Sequence, residues 1–454
     1  MSIYDTTLDW DAIPEADETG YAWDSLGEIP EYNIIADANN LDTSTDRARK
    51  GTGWKYSVQA FCWWRLRRIS QLQRALTALE RDEAGAYEPQ DGTEFLHNER
   101  GRLRPITAQV VDDRVVSHCM NDFELIPKIR PHLIYDNGAS LKHKGLDFSR
   151  KRMRVALERY YRREGTNVGY IYLEDKSKYY DNIPHEEAYA TLCHFTENEL
   201  ARKIIQKNLR HAELDMSDLS PELFEKAKKS KVDRVKWRMG NHPKGGTQML
   251  RKGVAVGDQL SQTIGIVYPW RADNEARTVQ GSWYFQRYMD DSADIDRDLG
   301  RLKRRAAAVA KVSTAAGMFI NEKKTTIARI DKGFVWLKHW YRLRKDGTVE
   351  ERMLPKSIHD FRRHIRHCRR KVDSGQITAA EMAQTIRSWL FARRDYISYP
   401  RMRKIELLTL ELYGREAYEQ VYDHAEKWKA APGPGEKRQH VRQPGRGHPG
   451  GPER

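Results

Sequence analysis

The chain has 454 residues, with 79 Lys and Arg against 65 Asp and Glu and a net charge of +14. This length allows two or three subdomains around a sizeable core. Its apolar runs fall short of the roughly 18 residues needed to span a bilayer, so a membrane partner is not expected. The four cysteines form no Cys-x-x-Cys pair and no signal peptide is recognised, so a reducing cytoplasm is expected.

The N-terminal segment differs in charge from the rest. Its first 46 residues contain twelve Asp or Glu and no Lys or Arg. The remainder is strongly basic and rich in aromatic residues, a composition that suits a polyanionic partner through phosphate neutralisation and base stacking. The acidic segment could fold over this basic body as an internal mimic of nucleic acid, and plain disorder is an equal alternative.

A basic segment comes next in chain order. It runs Glu99-Arg100-Gly101-Arg102-Leu103-Arg104-Pro105-Ile106. Guanidinium groups bind phosphate oxygens with two parallel hydrogen bonds, so the arginines of this segment could bind phosphate. A basic surface turn is the alternative interpretation.

The segment Gly169 to Leu173 is predicted to be a buried strand because aromatic and β-branched residues dominate it. The strand leads into Glu174-Asp175-Lys176-Ser177-Lys178-Tyr179-Tyr180-Asp181-Asn182-Ile183-Pro184-His185. Packing explains poorly why an acid follows a core strand here. If this segment is extended, the side chains of Tyr179 and Tyr180 point in opposite directions.

Further along, a glycine-containing motif reads Gly253-Val254-Ala255-Val256-Gly257-Asp258-Gln259-Leu260-Ser261-Gln262. A basic run, Lys226 to Arg238, precedes it and is either a helix that faces nucleic acid or a solvated helix. Ile320 to Thr325 follows later and carries Lys323 and Lys324, either of which could, on sequence alone, be a solvated charge at a helix end.

The run Tyr288-Met289-Asp290-Asp291 lies between two strand-like segments. Adjacent carboxylates in a hairpin turn repel each other, so a divalent cation is expected between them. Nucleotidyl transfer needs two cations about 3.5–4 Å apart, one at the attacking hydroxyl and one at the leaving pyrophosphate. Asp175 with Asp290 and Asp291 would bind such a pair if the strand before Asp175 lies beside the hairpin.

The C-terminal part is predicted to be helical from Pro355 to Tyr413. A strongly basic helix ends near Gly375, and Thr378 to Glu381 is a capping-box signal for the next helix. The tail from Ala431 is rich in Pro, Gly and Arg and is predicted to be disordered.

Three of these motifs, in this order, resemble the reverse transcriptases, RNA-directed DNA polymerases with a right-hand fold. Asp175 to His185 is similar to the first catalytic motif of that family, Tyr288 to Asp291 to the second, and Gly253 to Gln262 to the motif that packs against the template base. The resemblance implies an α+β fold, with an antiparallel palm sheet, helical fingers and a helical thumb. It also implies two Mg²⁺ ions, or Mn²⁺, on Asp175, Asp290 and Asp291.

The resemblance assigns further roles. Arg102 and Arg104 would reach the triphosphate of the incoming nucleotide, and Lys324 would lie near the leaving phosphates. Tyr180 would lie beneath the sugar and exclude a 2′-hydroxyl. Gly257 and Gln262 belong to the motif at the template base and are predicted nucleotide-binding residues.

The implied partners are an RNA template, an RNA/DNA primer–template duplex and deoxynucleoside triphosphates, and an accessory protein is left open. Val256 stands where many relatives have glutamine, and Ser261-Gln262 where they have Ser-Pro. This variant resembles the reverse transcriptases of diversity-generating retroelements and related phage enzymes. Three alternatives remain. The first is a reverse transcriptase of antiphage defence or of a retron, the second is an RNA-binding protein similar to an intron maturase, and the third is a nucleic-acid-binding protein with an inactive palm.

The predicted domain boundaries follow from these assignments. Residues 1–46 form the acidic segment, 47–165 the fingers and the N-terminal part of the palm, and 166–345 the palm with the catalytic motifs. Residues 346–430 form the thumb and 431–454 the tail.

Overall fold

The computed structural model describes residues 32–99, 102–239, 246–394 and 396–429, without the side chains of residues 99, 102, 238, 239 and 422–429. The predictions for the acidic mimic and for the C-terminal tail therefore concern mostly residues outside this description. Within the described ranges, no helix combines the length and the apolar character that a membrane crossing requires.

The elements follow in chain order. The first half contains α1 Ala38–Ala48, α2 Tyr56–Trp63, α3 Arg65–Glu80, β1 Thr93–Glu99, β2 Arg102–Ala108, α4 Val111–Cys119, α5 Ile126–Ile129, α6 Leu146–Glu164, β3 Tyr170–Glu174, α7 His185–Cys193, α8 Glu199–His211, β4 Leu214–Asp215, α9 Pro221–Lys229 and α10 Arg234–Met239. The second half contains β5 Met249–Leu250, α11 Gln259–Val267, α12 Trp270–Asn274, β6 Gln286–Tyr288, β7 Asp291–Asp296, α13 Leu299–Ala315, β8 Thr326–Arg329, β9 Phe334–Trp336, β10 His339–Leu343, β11 Val349–Met353, α14 Pro355–Asp373, α15 Ala379–Phe391 and α16 Tyr399–Lys429.

The chain divides into two compact units. The first comprises the described residues up to Lys128, with 192–211 and 257–260. The second comprises 129–191, 212–256 and the described residues from Ser261 onward. The finer division into fingers, palm and thumb at the predicted boundaries stays a prediction.

Helices dominate the first unit. Asp37 accepts a hydrogen bond from the backbone N–H of Asn40 and so caps α1. The helix α1 packs against α3 and α4, and α3 packs against α8. Apolar side chains of α3 recur every three or four residues and are buried, which is the spacing that places them on one helix face: Ile69, Leu72, Leu76 and Leu79. Strands β1 and β2 form an antiparallel hairpin.

An antiparallel four-stranded sheet, in the order β6-β7-β3-β8, lies in the second unit. Strand β3 is central, as the buried-strand prediction requires, and Ile171 is fully buried. The helix α6 contributes Met153, Leu157 and Tyr160 to the core that includes Ile171. Because this sheet is antiparallel and is combined with many helices, the predicted α+β class is confirmed.

The C-terminal helices α14, α15 and α16 share an apolar core in the second unit. The helix α14 ends at Asp373, and Gly375 follows with a positive φ of 70°. The backbone N–H of Glu381 donates a hydrogen bond to the side-chain oxygen of Thr378. In return, the backbone N–H of Thr378 donates one to the carboxylate of Glu381. The predicted capping box and helix end are both confirmed.

Candidate active site

The turn between β6 and β7 consists of Met289 and Asp290, and Tyr288 pairs with Asp291 across it. Met289 has a φ of 53°, a left-handed conformation that a non-glycine residue adopts at a cost of about 1–3 kcal/mol. The guanidinium of Arg287 donates a hydrogen bond to the carbonyl of Met289 at 3.1 Å. This bond holds the strained turn, and with it the backbone that carries Asp290.

Strand β3 delivers Asp175 to the same end of the sheet. Glu174 pairs with Ser292 of the neighbouring β7. In an antiparallel pair the next residue on β3 continues toward Asp291, which precedes Ser292. The pairing of β3 beside the hairpin, on which the sequence prediction depends, is therefore present.

The Asp175 carboxylate has two partners from the segment after α13. The side-chain amide of Asn321 donates to one oxygen at 2.8 Å, and the ammonium of Lys324 lies 3.0 Å from the other. The backbone N–H of Asn321 also donates to the carbonyl of Asp175 at 2.8 Å. The structure thus brings Lys324, a predicted phosphate ligand, to the first of the three acids.

Burial and nearby acids raise the pKa values of Asp290 and Asp291. Burial, followed by the nearby charges of Asp290 and Asp175, raises the pKa of Asp291 to about 7. The pKa of Asp290 is raised, first by burial and also by Asp175. The charges of Asp175 and Asp290 therefore act on Asp291 in addition to burial, which is the largest cause of its raised pKa.

The donor set suits a hard divalent cation, because carboxylate oxygens are the ligands that Mg²⁺ and Mn²⁺ prefer. Among the residues that the structure describes, no three His, Cys, Asp or Glu side chains are grouped closely enough to form a complete cation site. Asp175 instead directs its carboxylate to Asn321 and Lys324. The residues fit the predicted ions in chemistry and charge, and the metal assignment stays a prediction.

Arg287 is a site residue that sequence reasoning missed. Its side chain is 1% exposed, and its Nε lies 2.8 Å and 2.9 Å from the two carboxylate oxygens of Asp273. A second guanidinium nitrogen donates to the carbonyl of Ile266 at 2.6 Å. The position of Arg287 directly before Tyr288 was visible in the sequence, whereas its burial and its partner were not.

Tyr179 and Tyr180 lie together rather than on opposite sides. The prediction of opposite directions is wrong because Tyr180–Asn182 forms a 3₁₀ turn instead of an extended segment. The two rings meet edge to face with centroids 5.4 Å apart. The Tyr180 hydroxyl lies 3.5 Å from the sulfur of Met289, so the predicted sugar-contacting residue touches the turn that carries Asp290.

The glycine-containing motif is tied to the first acidic motif by backbone hydrogen bonds. The N–H of Gly253 donates to Ile183, and the N–H of Val254 donates to Tyr180. Gly253 has a φ of 89°, and a Cβ atom there would lie 2.7 Å from the carbonyl oxygen of Asp181, so only glycine fits. Burial lowers the pKa of His185 to about 4, and the neutral ring bonds the Gly253 carbonyl at 2.7 Å.

The remaining predicted ligands lie as follows. Gln262 is exposed on α11, and Gly257, with a φ of 125°, lies against Thr107 of the first unit. Arg104 is half-buried on β2, at the position opposite His97 in the β1–β2 hairpin. The side chain of Arg102 lies outside the described residues. The nucleotide contacts expected of these four residues stay predictions.

Comparisons with known proteins cover most of these motifs. A family model described as reverse transcriptase (RNA-dependent DNA polymerase) matches residues 95–368. A comparison with curated proteins finds no match. Among solved structures, the apo telomerase of Candida tropicalis, truncated from the C-terminal domain, is similar with 12% identity and a TM-score of 0.40 over 57% of this chain. The match covers 54% of the telomerase chain, so this chain spans about half of that length.

Proposed function

Because the chain belongs to the reverse transcriptase family, whose model matches more than half of it, and has an α+β right-hand polymerase fold, we propose that it copies an RNA template into DNA. The observation that carries this proposal is the meeting of β3 with the β6–β7 hairpin, which brings Asp175 toward Asp290 and Asp291. The reaction is attack of a primer 3′-hydroxyl on the α-phosphate of a deoxynucleoside triphosphate, with release of pyrophosphate. RNA template, primer and deoxynucleotides are the substrates.

Asp175, Asp290 and Asp291 are the residues that would hold divalent cations. When bound, Mg²⁺ or Mn²⁺ would activate the primer hydroxyl and neutralise the charge of the leaving pyrophosphate. The raised pKa of Asp291 supports this assignment, because added positive charge would relieve the repulsion among the three acids. Arg287 acts as a positioning residue that fixes the turn between Tyr288 and Asp291.

Tyr180 is proposed to select the sugar of the incoming nucleotide. Its ring is held between the catalytic turn and α11, where its hydroxyl is near Met289 and a Cβ atom on Gly265 would lie 2.3 Å from its oxygen. A ring confined in this way cannot move aside for an added 2′-hydroxyl. The confinement supports selection of deoxynucleotides over ribonucleotides.

The diversity-generating type is the subfamily that we favour. Val256 replaces a glutamine that is common in the family at this position, and its side chain is only partly buried. Valine offers no hydrogen bond, so base-pair geometry beside the template would be checked less stringently. We therefore propose that the chain serves a retroelement of bacterial or phage type that copies its template with errors at adenines.

Primer extension with Asp290→Asn tests the polymerase assignment. We expect the variant to lose RNA-templated synthesis while it keeps its affinity for nucleic acid, because the substitution removes one charge and preserves shape. Asp147→Asn is the matched control, since Asp147 is 88% exposed and is paired with Arg150 at the start of α6. Retained synthesis by Asp290→Asn would refute the proposed role of the three acids.

Products of the same wild-type reaction are sequenced to test the subfamily. Errors concentrated opposite template adenine support diversity generation. Equal error rates opposite all four bases contradict it and leave the polymerase assignment intact.

A further inference from the structure

A basic segment with exposed aromatic side chains lies before the residues that match the family model. Residues 47–79 contain eight Lys or Arg and no Asp or Glu. Four aromatic side chains in this segment are largely exposed: Trp54 at 76%, Tyr56 at 85%, Trp63 at 82% and Trp64 at 56%. We call these four residues, with Lys50, Lys55 and Arg67, the aromatic–basic surface.

The helix α2 shows why these rings remain outside. Val58 and Phe61 face the core of the first unit and are buried, so the helix is anchored by its other side. Tyr56 and Trp63 are seven residues apart, which places them on one face of the helix, about 10 Å apart along its axis. The helix α2 therefore exposes both rings side by side to solvent, while its opposite face packs against the core.

Aromatic side chains that are exposed as a group indicate a binding surface. Large aromatic side chains are usually mostly buried, and grouped exposed apolar surface marks sites of interaction. The segment also carries positive charge that is not neutralised locally. Arg65 and Arg68 are paired with Asp42 and Asp112 respectively, whereas Lys50, Lys55 and Arg67 form no ion pair within the described residues.

We propose that the aromatic–basic surface binds single-stranded nucleic acid, with unpaired bases stacked on Tyr56 and Trp63 and phosphates on the unpaired cations. Aromatic rings beside positive charge are the combination that binds single strands without sequence preference. A duplex offers the same phosphates, but its bases are already stacked on each other. The absence of acidic residues from 47–79 disfavours a basic protein partner. Since the segment lies outside residues 95–368, the family match does not account for this site.

The test measures fluorescence anisotropy of labelled 20-nucleotide strands with the full chain and without nucleoside triphosphates. The probes are an unstructured RNA, a DNA of the same sequence and a blunt RNA duplex. For the Tyr56→Ala/Trp63→Ala variant we expect roughly tenfold or greater loss of affinity for single strands. The affinity for the duplex should change by less than about twofold, because that binding depends on charge.

Three controls make the result specific. The Tyr56→Phe/Trp63→Phe variant keeps both rings and should retain affinity. Trp283→Ala removes a side chain that is 68% exposed but lies in the second unit beside Arg163, and it should leave affinity unchanged. Circular dichroism verifies the fold of each variant, and the altered side chains are too exposed for the substitutions to disturb the core.

The measurements with single-stranded RNA and DNA decide whether the aromatic–basic surface binds nucleic acid. Loss for RNA alone, or for both RNA and DNA, supports the proposal. Unchanged affinity for single strands, or an equal loss for the duplex, overturns it. Intact RNA binding combined with a loss of self-association in light scattering would show a protein interface instead and would also overturn it. Since no synthesis is measured, an inactive polymerase does not affect the outcome.

Discussion

Replacing Asp273 by Asn removes the carboxylate that neutralises Arg287 inside the second unit. The two side chains are 2% and 1% exposed, so water cannot take over the neutralisation. Leaving one charge of a buried pair without its partner costs about 3–5 kcal/mol. Asparagine keeps the volume of the side chain and one acceptor oxygen, so we expect a loss near the lower end, about 3 kcal/mol in the free energy of unfolding.

The same substitution should slow synthesis. Arg287 also donates to the carbonyl of Met289, whose left-handed backbone forms the turn before Asp290. When its carboxylate partner becomes neutral, the guanidinium keeps its hydrogen bonds to the carbonyls of Ile266 and Met289 but loses the charge that fixes its position, so we expect the turn to shift. A displacement of about 1 Å in a reacting group costs roughly a hundredfold in rate. We therefore expect lower kcat with little change in the affinity for template.

Urea unfolding and single-nucleotide extension measure the two effects. Glu419→Gln is the control for stability, because its pair with Arg415 spans 2.9 Å between side chains that are 62% and 87% exposed. Exposed pairs contribute about 0–1 kcal/mol, so this control should be close to neutral. A loss for Asp273→Asn no larger than that of the control would refute the proposed role of the buried pair.

Replacing Asp273 and Arg287 together separates the cost of an unpaired buried charge from the loss of the hydrogen bond to Met289. Burial raises the pKa of Asp273 despite the opposing charge of Arg287, so the carboxylate is held in an environment that disfavours its ionised form. Replacing both residues together by Met and Leu should restore most of the stability, because no charge then remains buried. Synthesis should stay slow in the double variant, since the hydrogen bond to Met289 is missing.

Two further predictions concern the segment between the acidic motifs. The pKa of His185 is lowered from 6.5 to about 4, so the folded protein binds this proton less tightly than the unfolded chain does, and the stability that is full above pH 6.5 should fall by about 3 kcal/mol as pH drops to 4. Urea unfolding at both pH values should show this part of the loss in the wild type and not in His185→Gln; identical pH dependence would contradict it. Gly265→Ala places a Cβ atom 2.3 Å from the Tyr180 hydroxyl, so the ratio of deoxynucleotide to ribonucleotide incorporation should change. Gly300→Ala, whose added carbon meets only flexible side chains at 3.3 Å or more, should leave that ratio unaltered, and equal ratios in both variants would argue against the role of Tyr180.

The elements that sequence alone predicted are those with local physical causes. The strand before Asp175 was predicted from aromatic and β-branched residues, and it forms the centre of the sheet. The capping box at Thr378 depends on residues only three positions apart, and both of its hydrogen bonds are present. Signals of this kind survive folding because the interacting groups are neighbours in the chain.

The missed features depend on partners that are distant in the chain or on local turns that override a simple pattern. No sequence signal pairs Arg287 with Asp273, because any of the many acids could have been its partner until the packing was known. The opposite directions expected for Tyr179 and Tyr180 assumed an extended backbone. The 3₁₀ turn brings the rings together, and the Tyr179 hydroxyl donates to the carbonyl of Gly265 at 3.0 Å.

The two lysines near Asp175 have different freedom, and this difference bears on which of them serves the nucleotide. Lys176 is 2% exposed and bonds the fully buried carboxylate of Glu174 at 2.9 Å. If Lys176 moved away from Glu174, the buried carboxylate of Glu174 would be left without a partner, which costs several kcal/mol. Lys324 is 57% exposed and pairs with Asp175 at 3.0 Å, an interaction weakened by solvent. We therefore propose that Lys324 is the lysine that exchanges Asp175 for a phosphate oxygen of the nucleotide, whereas Lys176 stays paired with Glu174.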